Sequence, residues 1–200
     1  MNSHGALDVR QLPSFAFSHR SLMWWGTLGL IAIESTVFAL AVIAYFYLQV
    51  HAPVWPPTEL PPELRWGTLN TVLFVASVWP AWKAKHAAEK LDLPGVQRWI
   101  TVSTIAALVI LAVRVLEFQG LNCRWDSSAY GSIVWTLLGL HTLHLITDAY
   151  DTAVLNVLMV TGPLEGKRYV DVSENAMYWF FVVVSWLPIY AVLYLAPLGA

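Results

Sequence analysis

Residues 22–48 read LMWWGTLGLIAIESTVFALAVIAYFYL, a run with a single charge, Glu34. The hydrocarbon core of a bilayer is about 30 Å thick and asks for roughly 20 apolar residues in a helix. This run is longer than that. It is also longer than the apolar core of a secretory signal and has no small-residue cleavage motif, so it reads as a retained span. Four further apolar runs follow. Trp66 to Trp82 is short and uncharged. Trp99 to Gly120 carries Arg114 and Glu117 near its far end. Tyr130 to Met159 is interrupted on one face by His141, His144, Asp148 and Asp151. Ala176 to Leu198 has no charge. These runs are too long and too uniform for the alternating segments of a β-barrel. The expected fold is all-α: a polytopic integral membrane bundle of five transmembrane helices. A single transmembrane domain is expected over residues 22–198, after a polar N-terminal segment, 1–21.

Composition points the same way. The chain has 200 residues, a single domain's length, of which 58% are hydrophobic and only 12% charged; the charged share is about half that of an ordinary globular domain. Mean hydropathy is +0.58. A soluble fold of this size could not hide so much apolar surface, and a disordered chain would be charge-rich and aromatic-poor. A net charge of −2 offers no footprint for nucleic acid. The one cysteine, Cys123, excludes a disulfide framework and a cysteine-ligated cluster.

The connections are short. Residues 51–64 are proline-rich and cannot be helix. Residues 83–98 read as a basic turn punctuated by Pro94-Gly95, 121–128 as a polar loop, and 160–173 as the last loop. Orientation follows from Lys and Arg in the loops. The N-terminal segment and the second and fourth loops hold Arg10, Arg20, Lys83, Lys85, Lys90, Arg98, Lys167 and Arg168; the opposite side holds Arg65 and Arg124. The N-terminus is therefore expected in the cytoplasm of a bacterial cell, with the chain in its inner membrane. Trp24, Trp25, Trp66, Trp82, Trp99 and Trp125 fall near span ends, where an amphipathic ring is favoured.

Charges at membrane depth cost about 2.5–3.5 kcal/mol each on insertion scales, so each needs a partner, a cavity or neutralisation. Glu34, near the middle of the first span, reads either as a proton-linked or lipid-headgroup-contacting group, or as a neutral acid hydrogen-bonded in the bundle. Arg114 and Glu117 are three apart and share a helix face, the spacing of an ion pair that fixes packing. His141, His144, Asp148 and Asp151 are spaced 3, 4 and 3, which at about 100° per residue confines them to one stripe. The stripe reads as a structural polar seam, a proton path or lipid contact, or a metal site. The metal reading has the least support, because no further ligand set appears on another span. Two axial haem ligands would have to approach from opposite faces of the ring, and both histidines lie on one helix. Phosphate-binding loops, nucleophile elbows, HExxH and CxxCH motifs are absent. The residues describe a partner-dependent membrane subunit with no reaction chemistry of its own.

Read in order, the polar residues resemble subunit III of the haem–copper oxidases in its short five-helix form. Ile33-Glu34-Ser35 through Phe38-Ala39 is similar to that family's Ser-Glu-x-x-Phe-Phe-Ala stretch, and Leu69-Asn70-Thr71 to its Leu-Asn-Thr. His86-Ala87 falls at its His-rich turn, and Glu117-Phe118 at its Glu-Tyr. Tyr130-Gly131-Ser132 and Leu138-Gly139-Leu140-His141-Thr142-Leu143-His144 resemble its Tyr-Gly-Ser and Thr-Gly-Phe-His-Gly-Leu-His-Val. Tyr178-Trp179-Phe180-Phe181-Val182 and Trp186 resemble the closing Tyr-Trp-His-Phe-Val stretch. Phe180 and Val183 replace that motif's His and Asp, Thr142 replaces a Gly, and Asp148 and Asp151 extend the polar stripe.

The resemblance implies a haem-free, non-catalytic accessory subunit of a cytochrome c or quinol oxidase. Such a subunit packs on subunit I, holds phospholipids in a cleft between its helices, and supports proton uptake and sustained turnover during oxygen reduction. Haem and copper stay in the partner subunits, and no metal is expected here. Glu34, Glu117, His141 and His144 become the lipid-cleft or proton-linked positions. Arg114, Asp148 and Asp151 become the structural seam. The alternatives are an accessory subunit of a nitric oxide reductase and a free-standing membrane metal or haem protein.

Overall fold

A computed structural model describes residues 15–57, 61–163 and 165–198. Arg10 and most of the N-terminal segment, 1–14, lie outside the described residues. Five helices carry the fold: α1 (Leu22–His51), α2 (Leu64–Glu89), α3 (Leu93–Gln119), α4 (Ala129–Thr161) and α5 (Gly166–Tyr190). No strand occurs among the described residues. A π-helical turn (Ala191–Leu195) and a 3-10 turn (Ala196–Leu198) extend α5.

Local chemistry sets the ends. Ser21, Asp92 and Ser128 cap α1, α3 and α4, each side chain accepting a backbone N–H from the first turn. Two loops are shorter than the sequence suggests. Residues 83–89 are the end of α2, and α3 starts at Leu93, so the basic turn shrinks to residues 90–92. Pro94-Gly95 stands in the first turn of α3, where proline's missing N–H costs nothing, and Leu91 makes the reversal with a φ of 57°. Likewise α4 runs to Thr161 and α5 begins at Gly166, so residues 166–173 are helix and not loop. Charge misled the reading there: Lys167, Arg168, Asp171 and Glu174 look like loop composition but lie on helical turns.

α5 is the hub, packed against α1, α2 and α4, while α3 bridges α2 and α4. The main core joins Phe74 of α2, Ile110 of α3, Leu137, Leu138 and Leu145 of α4, and Val182, Trp186 and Ile189 of α5. α1 differs from the rest. It meets the bundle mainly through α4 and α5, and only Phe38 and Tyr45 are buried along its length. Leu30, Ile33, Val37, Leu40 and Ile43 all face outward. An apolar helix with an apolar outer face suits a lipid solvent rather than water.

Four helical stretches are long and apolar enough to cross a membrane: α1, α3, α4 and α5 with its π extension. α2 falls short of that criterion, because its turns carry Asn70, Pro80, three tryptophans and, towards the end, Lys83, Lys85 and Glu89. The chain is a multi-pass membrane protein. Its two ends differ. One gathers Arg20, the α2–α3 turn and the α4–α5 loop, where Gln97 at the start of α3 bonds to Met159 near the end of α4. At the other end the proline-rich segment is tied to α3, Glu63 N–H donating to Gly120 O.

Candidate functional site: a sealed cluster and an open cleft

The polar residues at membrane depth fall into two groups. The first is sealed. Arg114 and Glu117 on α3 are each 1% exposed, and Arg114 Nη1 lies 2.8 Å from Glu117 Oε2. Asn70 Nδ2 donates to the same oxygen at 2.9 Å, and Tyr194 OH donates to Oε1 at 2.6 Å. The glutamate thus has a donor for each oxygen, the condition under which a buried charge is tolerable. The guanidinium lies over the Trp186 ring at 4.1 Å and the Phe74 ring at 5.6 Å, so aromatic faces take the place of solvent on its flat side. Tyr194 reaches in because position 67 is glycine. A Cβ there would stand 2.5 Å from Tyr194 Cζ.

His141 belongs to this group. Its Nε2 lies 3.0 Å from Val182 O and its Nδ1 3.3 Å from Arg114 Nη2. A carbonyl can only accept and a guanidinium can only donate. Nε2 therefore carries the hydrogen, Nδ1 offers its lone pair, and the ring is neutral and fully used.

The second group is open. Glu34 on α1 is half-buried at the seam with α4 and α5. Tyr178 OH donates to Glu34 Oε2 at 2.6 Å, and His144 Nε2 stands 3.5 Å from Oε1. His144 Nδ1 lies 2.7 Å from Leu140 O and must donate to it. Nε2 is then the ring nitrogen turned towards the carboxyl.

From this pair a cleft of about 570 Å³ runs between α1, α4 and α5 towards the basic end. Asp148 and Asp151 line it from α4, and Asp171, Glu174, Asn175 and Tyr178 from α5. Asn175 Nδ2 donates to Asp148 Oδ1 at 2.9 Å, and its own Oδ1 accepts from Thr152 at 3.0 Å. A neighbouring hollow of about 400 Å³ is lined by Arg20, Lys167, Met23 and Asp171.

The seven residues singled out in the sequence are therefore not one site. Arg114, Glu117 and His141 meet in the sealed cluster; Glu34, His144, Asp148 and Asp151 meet along the cleft. The stripe on α4 divides between them, with His141 and Asp148 buried, His144 half-buried and Asp151 exposed. Sequence reasoning missed Gly67 and Tyr194, and it missed Asp171, Glu174 and Asn175. The last three had a readable signal: with Tyr178 they stand at i, i+3, i+4 and i+7, one face of a helix. No group of three or more metal-ligating side chains comes together among the described residues.

These features define a multi-pass helical membrane protein with a sealed charged cluster on one side and an acid-lined side cleft on the other. A family model, cytochrome c oxidase subunit III, matches residues 14–197. The chain belongs to that family. It is similar to the cytochrome c oxidase subunit 3 of Synechocystis, 25% identical over 88% of this chain and 77% of the relative. The same protein of Thermostichus vulcanus is 25% identical over 90% of both. The probable cytochrome c oxidase subunit 3 of Mycobacterium bovis is 28% identical over 84% of this chain and 85% of the relative.

Proposed function

We propose that this chain is a haem-free accessory subunit III of a haem–copper terminal oxidase. It packs on subunit I, holds phospholipid against α1, and supports proton uptake and sustained turnover while its partners reduce oxygen. Haem and copper belong to those partners. The names of the relatives favour an oxidase over a nitric oxide reductase. All five helices cross the bacterial inner membrane in this reading, with the basic end in the cytoplasm. α2 crosses with the others because it lies along α3 and α5, and at 1.5 Å per residue its length of about 39 Å is sufficient.

The observation that carries the reading is the setting of Glu34, a carboxyl shared with His144 and Tyr178 at the edge of an open cleft. The hollow beside that cleft suits a lipid headgroup. Arg20 and Lys167 supply positive charge for a phosphate, and the exposed apolar flank of α1 continues from it.

Two measurements test the reading. Mild-detergent purification through a tag on this chain should bring down a haem–copper subunit in stoichiometric amount. Glu34→Gln should leave that complex assembled but shorten its active lifetime or slow its proton uptake. A tagged chain that emerges alone, or a variant with unchanged turnover through long assays, counts against it.

A further inference from the structure

The α2–α3 hairpin carries positive charge that neither the sealed cluster nor the cleft uses. Lys83, His86 and Lys90 stand at i, i+3 and i+7, one face of the last turns of α2 and its C-cap. With Trp82, Trp99 and Asp92 they line a cradle of about 180 Å³ where α2 turns into α3. Lys85, between them in sequence, is answered by Glu89 at 2.9 Å and by Ser173 at 2.7 Å. Lys83 and Lys90 form no ion pair among the described residues. Two carboxylates lie close by, and both are engaged. Glu89 is held by Lys85, with His86 at 3.9 Å. Asp92 Oδ1 accepts from Gly95 N–H at 3.2 Å, so its charge is set against the positive start of α3.

The aromatic rings around the cradle mark a depth. Lys83 Nζ lies 5.3 Å from the Trp82 ring and 5.7 Å from the Trp79 ring, and the Arg98 guanidinium 5.1 Å from Trp99. Trp82 stacks on His86 at 4.9 Å, and Trp79 meets Trp99 edge-on at 4.8 Å. Cations seated over indoles, where charge gives way to apolar side chains, suit a membrane–water interface. The indoles of Trp179 and Trp186 donate to Ser77 and Thr71 inside the bundle. Those of Trp82 and Trp99 donate to no protein oxygen among the described residues. Past the rings, Val72, Val75 and Trp79 of α2 and Val102 and Val109 of α3 are exposed. From Lys83 to Val72 is about 16 Å of helix at 1.5 Å per residue, close to half of a hydrocarbon core about 30 Å thick. The cradle thus opens onto an apolar track one leaflet deep. A free phosphate would have use for the cradle and none for the track.

We propose that the α2–α3 hairpin binds an anionic phospholipid, with its phosphate between Lys83 and Lys90, its headgroup oxygens on the Trp82 and Trp99 indoles, and its acyl chains along the track. Basic residues at the membrane surface attract anionic lipids, and the two unpaired lysines give the cradle its charge complementarity. This site is separate from the cleft. α1 packs on α4 and α5, and the cradle shares no lining residue with the cleft or with the hollow beside it. The inference goes beyond the proposed function and does not rest on it, because every group it invokes belongs to this hairpin.

Photolabelling tests it. The tagged chain, purified in mild detergent with the partners it retains, is placed in phosphatidylcholine vesicles containing a small fraction of photoreactive phosphatidylglycerol, and the labelled peptides are mapped by mass. Label should fall on the hairpin between Val72 and Val109. Lys83→Gln combined with Lys90→Gln should reduce it several-fold while leaving label on α1 unchanged. Neither lysine is in an ion pair, so the double variant keeps the fold. Photoreactive phosphatidylcholine should label the hairpin several-fold less than phosphatidylglycerol. Equal labelling by the two lipids, hairpin label unmoved in the double variant, or a hairpin that takes no label overturns the site. Millimolar inorganic phosphate should leave the label in place; selective loss of the hairpin label would assign the cradle to a free phosphate and overturn the lipid.

Discussion

Glu117 and Glu34 each stand beside an arginine or histidine at membrane depth, yet their surroundings are opposites. Glu117 has three donors on two oxygens and is sealed by Asn70, Tyr194 and Arg114. Glu34 has one firm donor, Tyr178, and one loose neighbour, His144, at the edge of a cleft. The histidines follow suit. His141 spends both ring nitrogens on fixed partners, whereas His144 keeps one in reserve. The lesson is that partner count, and not residue type, separates the two acids: one is held on both oxygens by fixed donors, the other has a single firm donor and a free edge on the cleft.

The sealed cluster should be the harder to disturb without harm. Arg114→Met leaves Glu117 as a buried charge without its counter-charge, and breaking such a pair costs about 3–5 kcal/mol. We expect the subunit to be lost from detergent-purified complexes or to melt far earlier. Arg114→Met combined with Glu117→Met should recover much of that loss, because a buried pair is often replaceable by apolar groups of similar volume. If the double variant is no better than the single one, Arg114 acts through its contact with Trp186 and not through the pair.

Gly67→Ala examines the same cluster through its packing. The added methyl must displace the Tyr194 ring, and overpacking of this kind typically costs about 1–3 kcal/mol. Thermal unfolding of the complex should show it. Combining it with Tyr194→Leu should relieve the clash but strand Glu117 Oε1, so recovery should be incomplete.

Parts of this contrast are visible in the sequence and parts are not. The apolar runs betray the helices, since a span must be apolar wherever it meets lipid. The Arg114–Glu117 contact is local, three residues apart on one helix, and spacing alone foretells it. The division of the α4 stripe is not foretold, because His141 and His144 are distinguished only by what α1, α3 and α5 place beside them. Glu34 meets Tyr178 across 144 residues, and Tyr194 meets Glu117 across 77; no local pattern encodes either. The first turns of α5 were hidden for another reason. Their charges imitate a loop, and only the helical interval of Asp171, Glu174, Asn175 and Tyr178 gives them away.

On the open side, Glu34→Gln should barely change stability. The amide oxygen can still accept from Tyr178 OH, and the exchange at a half-buried position removes no packed atom. What it removes is the ionisable carboxyl, so under the proposed function its effect should be read in turnover lifetime and proton uptake. A large loss of thermal stability in this variant would move Glu34 into the same class as Glu117 and dissolve the contrast.

Asp151→Asn should have the smallest effect of all. Asp151 lines the cleft but is exposed, and no hydrogen bond or ion pair holds it among the described residues. Surface substitutions of this kind usually stay within about 0.5 kcal/mol. Its value lies in the pairing with Asp148, one turn further in on the same face, where burial is nearly complete and Asn175 is already engaged. Asp148→Asn acts at a buried, hydrogen-bonded position and should shift thermal unfolding of the complex, whereas Asp151→Asn should leave it close to normal. Equal effects at the two positions would mean that the electrostatic field of the acidic mouth matters, rather than the particular oxygen at its floor, and the two sides of the molecule would then differ by net charge instead of by partner count.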